Sequence, residues 1–390
     1  MSGQATVAGT WVSRVPHGGS LAEVRVVRPM LMGRGSLFGG RLRGVATLDG
    51  EGWTIPEAEL TVGGWGEGFV DRRHPHTYFH ELMLAGVERI GGPDGAVQVS
   101  LSAGKGFVAF GSDDPMNRVA FRYPVNHHWS QILERAVLIG GIAAGPVMAE
   151  GSLFNGDEPE EPGQWPNMER FGDSWAARLT LLPARGLEVA GSYAKVHSPE
   201  HRDGAGLDDY KVHAMARWEG MAAGHPLYAM AEWARVEEGD GAFVYHTFLA
   251  EGAYELGPTR LYYQFERTER PEEERVLDTK WRTIRPHLDN STLGTTRWTI
   301  NTLGAGREVR PRGWPIQARP FLEASYARAT KVGDGVFDPE VWCQGTDFWS
   351  LSAGVTIAVG RHALDHRMGR YGVAEARDTG KSEHMEGVHE

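Results

Sequence analysis

Five histidines fall in two short stretches. DRRHPHTYFHE, from Asp71 to Glu81, places His74 and His76 on either side of a proline, with His80 close behind; NHHWSQ, from Asn126 to Gln131, adds His127 and His128. Residues two apart in an extended segment point the same way, so His74 and His76 can share a Zn²⁺ or Cu²⁺, both of which accept imidazole nitrogen. One histidine from the second stretch would complete a three-nitrogen site, which makes His74, His76, His127 and His128 the candidate metal ligands. The competing reading has them as loop-packing residues hydrogen-bonded to Asp71, Glu81 or Glu134. His362 and His366 in RHALDH have the i,i+4 spacing of a helix face, but they lie in a polar tail and are expected to be solvated.

Other chemistry is thinly represented. Adjacent carboxylates (Asp113-Asp114, Glu160-Glu161, Glu272 to Glu274) sit in charged loops and read as solvated surface. GKG at Gly104 lacks the spacing of a phosphate-binding loop, and no G-x-S-x-G elbow is present. A lipase Ser–His pair on an outer wall cannot be located. No enzyme is expected, and no cofactor beyond a possible Cu or Zn ion.

Histidines in loops need a scaffold, and the 390-residue chain supplies one of a particular kind. A net charge of −11 without any basic run argues against nucleic acid. The single cysteine, Cys343, rules out an internal disulfide and a cysteine-based zinc site. No apolar run approaches the ~20 residues that a spanning helix needs; the best, AVLIGGIAAGPVMA from Ala136, is broken by Pro146. Strands of ~9–11 residues can still cross a bilayer. MSGQATVAGTWVSR shows no charged-then-apolar leader, so no signal peptide is visible; a mature form or a displaced start is expected.

Period-2 alternation recurs almost from end to end. In TDFWSLSAGVTIAVG, Trp349, Leu351, Ala353, Val355, Ile357 and Val359 alternate with Ser350, Ser352, Gly354 and Thr356. SWAARLTLL, LEVAGSYAK, YKVHAMARWE and TRLYYQFER repeat the pattern. About sixteen such segments are recognisable by this criterion, and residues 131–138 also allow a helix. Short links (Arg34-Gly35, GGPDG at 91–95, Ala144-Gly145, PARG at 183–186) take turns with long ones (49–78, 105–131, 155–173, 198–207, 269–291, 330–345); the brief EGDG at 238–241 breaks the rule. If both ends lie on the short-turn side, a strand must precede Val15, and QATVAGTWVS can supply it.

A soluble sandwich, such as a carbohydrate-active β-protein rich in tryptophan, also alternates apolar and polar residues. Three features favour a membrane barrel instead. The polar faces carry full charges in mid-strand: Glu150, Arg178, Glu188, Lys211, Arg217, Glu232, Glu251, Glu266, Arg297 and Glu323. The apolar faces mix small residues with aromatics near strand ends (Trp175, Trp218, Trp233, Trp298, Trp349), as interface girdles do. Matched strands with alternating loop lengths suit an up-and-down closure. A strand in hydrocarbon must pair every backbone polar group, so the sheet must close, and a ring of this size holds water rather than side chains alone.

On DRRHPH with the following Glu81-Leu82, NHHW at 126–129, LFNGDEP at 153–159, SPEH at Ser198 and HRMGRYG near the C-terminus, the chain resembles a family of uncharacterised Gram-negative outer-membrane barrels, porin-like in build, from about residue 65 onward. The resemblance implies fold and location; it implies no substrate. Two departures are the absent export signal and a charged tail where an aromatic terminal residue is usual.

The expectation is therefore an all-β chain: a closed antiparallel up-and-down transmembrane β-barrel of 14–16 strands over residues 1–360, with long extracellular loops and a polar tail at 361–390. Its function would be passive diffusion of small hydrophilic solutes across an outer membrane, with lipid and lipopolysaccharide outside, no nucleic-acid partner and a possible homo-oligomer. The charged residues above would line the pore, and 49–78 and 105–131 are the segments able to fold inward as a plug. A metal-handling barrel using the four histidines is the second reading.

Overall fold

The computed structural model describes residues 1–14, 19–54, 76–91, 97–112, 118–125, 127–159, 162–199, 201–273, 292–311, 316–360 and 368–375. Sixteen strands run β1 (Ser2–Val12), β2 (Leu21–Leu37), β3 (Leu42–Asp49), β4 (Phe79–Ile90), β5 (Val97–Gly106), β6 (Arg135–Ala144), β7 (Val147–Phe154) and β8 (Ser174–Ala184). They continue β9 (Leu187–His197), β10 (Asp208–Ala222), β11 (His225–Glu238), β12 (Phe243–Leu256), β13 (Thr259–Glu273), β14 (Thr292–Arg307), β15 (Ile316–Val332) and β16 (Asp347–Val359). Each pairs antiparallel with its sequence neighbours, and β1 pairs with β16 from Gly3↔Val359 to Val12↔Ser350, which closes the ring. Closure leaves no strand edge with unpaired backbone groups.

The ring is inside out relative to a soluble protein. Leu322, Leu303 and Leu351 point outward and are 67%, 65% and 51% exposed, whereas their inward neighbours Glu323, Thr302 and Ser350 are buried. Large apolar side chains gathered over a surface mark a partner that is not water, and a soluble sandwich would have them inside. No described helix is long and apolar enough to cross a membrane.

Tight turns gather at one end. At β10–β11 the hairpin Ala222↔His225 is closed by Ala223 and Gly224, both left-handed (φ 51° and 80°), the geometry that matches strand twist in two-residue turns. The turn expected at Arg34-Gly35 lies a few residues later, at Phe38–Gly40, where Phe38, Gly39 and Gly40 all take positive φ; Gly35 is instead paired with Gly44. The helix allowed at 131–138 does not form: 131–134 are irregular and 135–138 open strand β6. The loop expected at 269–291 begins later, because Glu269–Glu273 continue β13 against β14.

Two expectations fail. Arg297 stands on the outward parity of β14, where its guanidinium reaches Glu269 Oε1, and Trp298 points inward, fully buried against Phe348. The β14–β15 ladder runs without a bulge from Thr295 to Gly306, so inward Thr302 fixes Trp298 inward too. The polar tail is not simply solvated: residues 368–375 lie inside the barrel, with Met368, Tyr371 and Val373 almost completely buried. The His362/His366 pair falls outside the described residues.

Candidate transport lumen

After β5 the chain turns into the bore. The Ala109 N–H donates to Ser152 Oγ of β7 (3.0 Å) and the Gly111 N–H to Ser192 Oγ of β9 (2.9 Å). Gly111 has φ 69°, and a side chain there would collide with the Ser130 carbonyl. Farther along, Arg118 reaches Glu232 of β11 (2.9 Å) and Glu251 of β12 (3.4 Å). Arg122 reaches Gln264 and Glu266 of β13 (3.0 and 2.9 Å). Glu323 of β15 accepts the N–H groups of both Phe121 (2.7 Å) and Arg122 (3.1 Å), and Arg28 of β2 donates to the Phe121 carbonyl (2.8 Å). One segment thus touches the wall from β7 round to β15 and β2, so it spans the lumen. Irregular backbone survives at membrane depth only when protein or a water-filled cavity satisfies it, and here wall carboxylates and hydroxyls do so.

The C-terminal segment occupies the β4–β9 side. Glu81 of β4 accepts from the Tyr371 hydroxyl (2.6 Å) and the Gly369 N–H (3.1 Å), and the Tyr371 oxygen accepts the Phe107 N–H (3.1 Å). Arg370 meets Glu188 at 2.9 Å, and the Val373 N–H donates to Ser100 Oγ. Val373 and Ala374 pack on Ala143 and Met148.

Nine of the ten predicted lining charges face inward, and all nine are buried and engaged. Glu150 and Arg178, opposite one another on β7 and β8, pair at 2.7 Å; Arg217 pairs with Glu188 at 2.7 Å. Glu232, Glu251, Glu266 and Glu323 brace the inserted loop. Lys211 contacts Asp209 (3.4 Å) and donates to the His128 carbonyl (3.1 Å). The sequence reading expected such charges to stay hydrated; most are instead fastened to each other or to inserted segments. It missed their partners Arg118, Arg122 and Arg370. The legible signal was RVAFRY at 118–123, where arginines punctuate an apolar run and so demand buried acids.

Of the candidate metal ligands, His74 and the side chain of His127 lie outside the described residues. His76 and His128 do not meet in this structure: His76 immediately precedes β4, while His128 belongs to the short helix α2 (His127–Ser130), held by Lys211 of β10, six strands round the ring. His76 keeps other company. Its Nδ1 lies 3.3 Å from Glu51 Oε2 and 3.9 Å from Asp49 Oδ2, all three residues being buried. Glu51 opens the short helix α1 (Glu51–Thr54), and Asp49 ends β3. His76 packs edge-on to His80, whose Nδ1 lies 2.7 Å from Glu134 Oε1. Burial pushes the Glu134 carboxyl up, but the His80 hydrogen bond and the charges of His80, His76 and Lys105 outweigh it and bring the group down to about 2.

No family model matches the chain, and no curated protein matches it. Solved structures do. An anion-selective porin from Comamonas acidovorans aligns over 92% of this chain and 98% of its own, at 10% identity and a TM-score of 0.51. OmpT, an outer membrane protein of Vibrio cholerae in trimer form, aligns over 91% and 98%, at 11% identity and a TM-score of 0.50. The chain has the fold of these outer-membrane barrels. At such identity the likeness is one of fold, so the lumen has to be read from its own residues.

Proposed function

We propose that the chain is a porin-like outer-membrane channel through which small hydrophilic solutes diffuse passively. One observation carries this reading: a closed sixteen-strand ring presents leucines outward and charges inward from adjacent positions, as at Leu322 and Glu323. Lipid and lipopolysaccharide are then its outer solvent and water its inner one. The inserted loop and C-terminal segment take up part of the bore, so the solutes that pass are small. Assembly into a homo-oligomer and kinship with the uncharacterised porin-like barrels belong to the same proposal. The metal-handling barrel built on the four histidines loses support, because His76 and His128 stand apart.

The test is conductance in planar bilayers. Wild-type protein is expected to give discrete steps. Glu323→Gln, which weakens the acceptor for the Phe121 and Arg122 amides, is expected to give larger or noisier steps, because charge-assisted hydrogen bonds hold loops by about 1.5–3 kcal/mol. Silence from both proteins would end the channel reading.

A further inference from the structure

We infer that the inner rim of the barrel at its long-loop end contains a divalent-cation site formed by Asp49, Glu51 and His76, with Zn²⁺ as the fitting ion. This donor set differs from the four-histidine set suggested by the sequence.

The geometry carries the inference. In a tetrahedral zinc site with bonds of about 2.0–2.2 Å, neighbouring donors stand about 3.3–3.6 Å apart. Here Nδ1 of His76 stands 3.3 Å from Glu51 Oε2 and 3.9 Å from Asp49 Oδ2, and the three donors all lie within 4.8 Å of one another. The second oxygen of each carboxylate is held by main chain: Asp49 Oδ1 accepts the Glu51 N–H (2.7 Å), and Glu51 Oε1 accepts the Arg28 N–H (3.2 Å). Such outer contacts fix the rotamers of ligating groups and aim the remaining oxygens, here at one imidazole nitrogen. Two carboxylates and one imidazole form a hard-to-borderline set suited to zinc, and three protein ligands leave a fourth position for water.

The ligands come from the end of β3, from α1 and from the residue run leading into β4, so a bound ion would tie together the chain on both sides of the 55–75 segment. Trp53 and Tyr78, stacked at 5.1 Å, also join these two stretches of chain. The alternative occupant of the same space is a proton, with imidazolium bridging the two acids; that state binds no metal.

The site is separable from the channel reading, since metal content and conductance are measured independently. Tag-free protein in detergent, stripped with chelator, is titrated calorimetrically with Zn²⁺ alone, and Co²⁺ serves as an optical probe of the ligand field. Saturable binding of one ion per chain is expected. His76→Gln and Glu51→Gln should each weaken binding at least about 10-fold, while His128→Gln should leave it unchanged; heat-dependent gel mobility verifies that each barrel is folded. No saturable binding by the wild type overturns the proposal by itself, even if a variant fails to fold. Wild-type affinity in folded His76→Gln and Glu51→Gln overturns it as well.

Discussion

Burial pulls the Glu134 carboxyl one way, its hydrogen bond to His80 and the charges around it pull the other, and together these outweigh burial. This carboxylate lies in the loop just before β6, accepts from the Thr77 N–H (3.0 Å) and hydroxyl (2.8 Å), and faces His80 at 2.7 Å. A carboxyl held near 2 in the fold against an ordinary 4.5 stabilises the fold fully above about pH 4.5, and that contribution is lost as pH falls towards 2. Glu134→Gln should therefore lower stability at neutral pH by about 3 kcal/mol, the scale for breaking a buried ionic contact. It should also flatten the stability loss of the wild type between about pH 4.5 and 2. Acid titration followed by heat-dependent gel mobility measures both; parallel pH profiles would remove Glu134 from the account. The sequence named Glu134 as a histidine partner but chose no histidine for it. The choice depends on which loops turn inward, and inward-turning loops leave no period in a sequence. His76 shows the same limit: its residue type pointed to a metal, but its companions Asp49 and Glu51 lie across the 55–75 segment, where spacing says nothing.

Strands and inserted segments differ in how they can be read. Strand alternation is local, and its register follows from pairing, so β8, β9, β10, β13 and β16 carry the faces expected of them. In β14 polarity is no guide to direction: Arg297 is polar and faces out, while Trp298 is apolar and faces into a cluster with Phe337 and Phe348. The ladder, not the side chain, decides. The charge of the 361–390 tail predicts solvation throughout. Yet HRMGRYG contains one tyrosine and one arginine that find buried acids, Glu81 and Glu188. Tyr371 is the fastener, as it bonds both Glu81 of the wall and the Phe107 amide of the inserted loop. Tyr371→Ala should cost about 3 kcal/mol, the scale for deleting a buried aromatic ring. It should also raise the protease sensitivity of the C-terminal segment while leaving the heat-dependent mobility of the barrel intact. If cleavage of this segment stays at the wild-type rate, its docking does not depend on Tyr371.

At the scale of the whole molecule, the decisive property is the sign of the outer surface's preference for water. Leu322 of β15 pairs with Ala353 near the middle of β16, faces outward and is 67% exposed. On a soluble protein such a leucine is ordinary surface, and replacing it by arginine is close to neutral. On a barrel in a bilayer the same position faces hydrocarbon, where arginine costs about 2–4 kcal/mol at the midplane. Leu322→Arg thus separates the two environments without any assumption about solute, inserted loop or metal. Refolding into phospholipid vesicles under a urea series should show the variant destabilised by that amount. The same charge at Arg328, already present on the outward side six residues along β15 towards the long-loop end, is tolerated, because cost on this face falls with distance from the midplane. Equal stability of Leu322→Arg and wild type in vesicles would place the apolar exterior in something other than lipid, and a conducting bore could not survive that result.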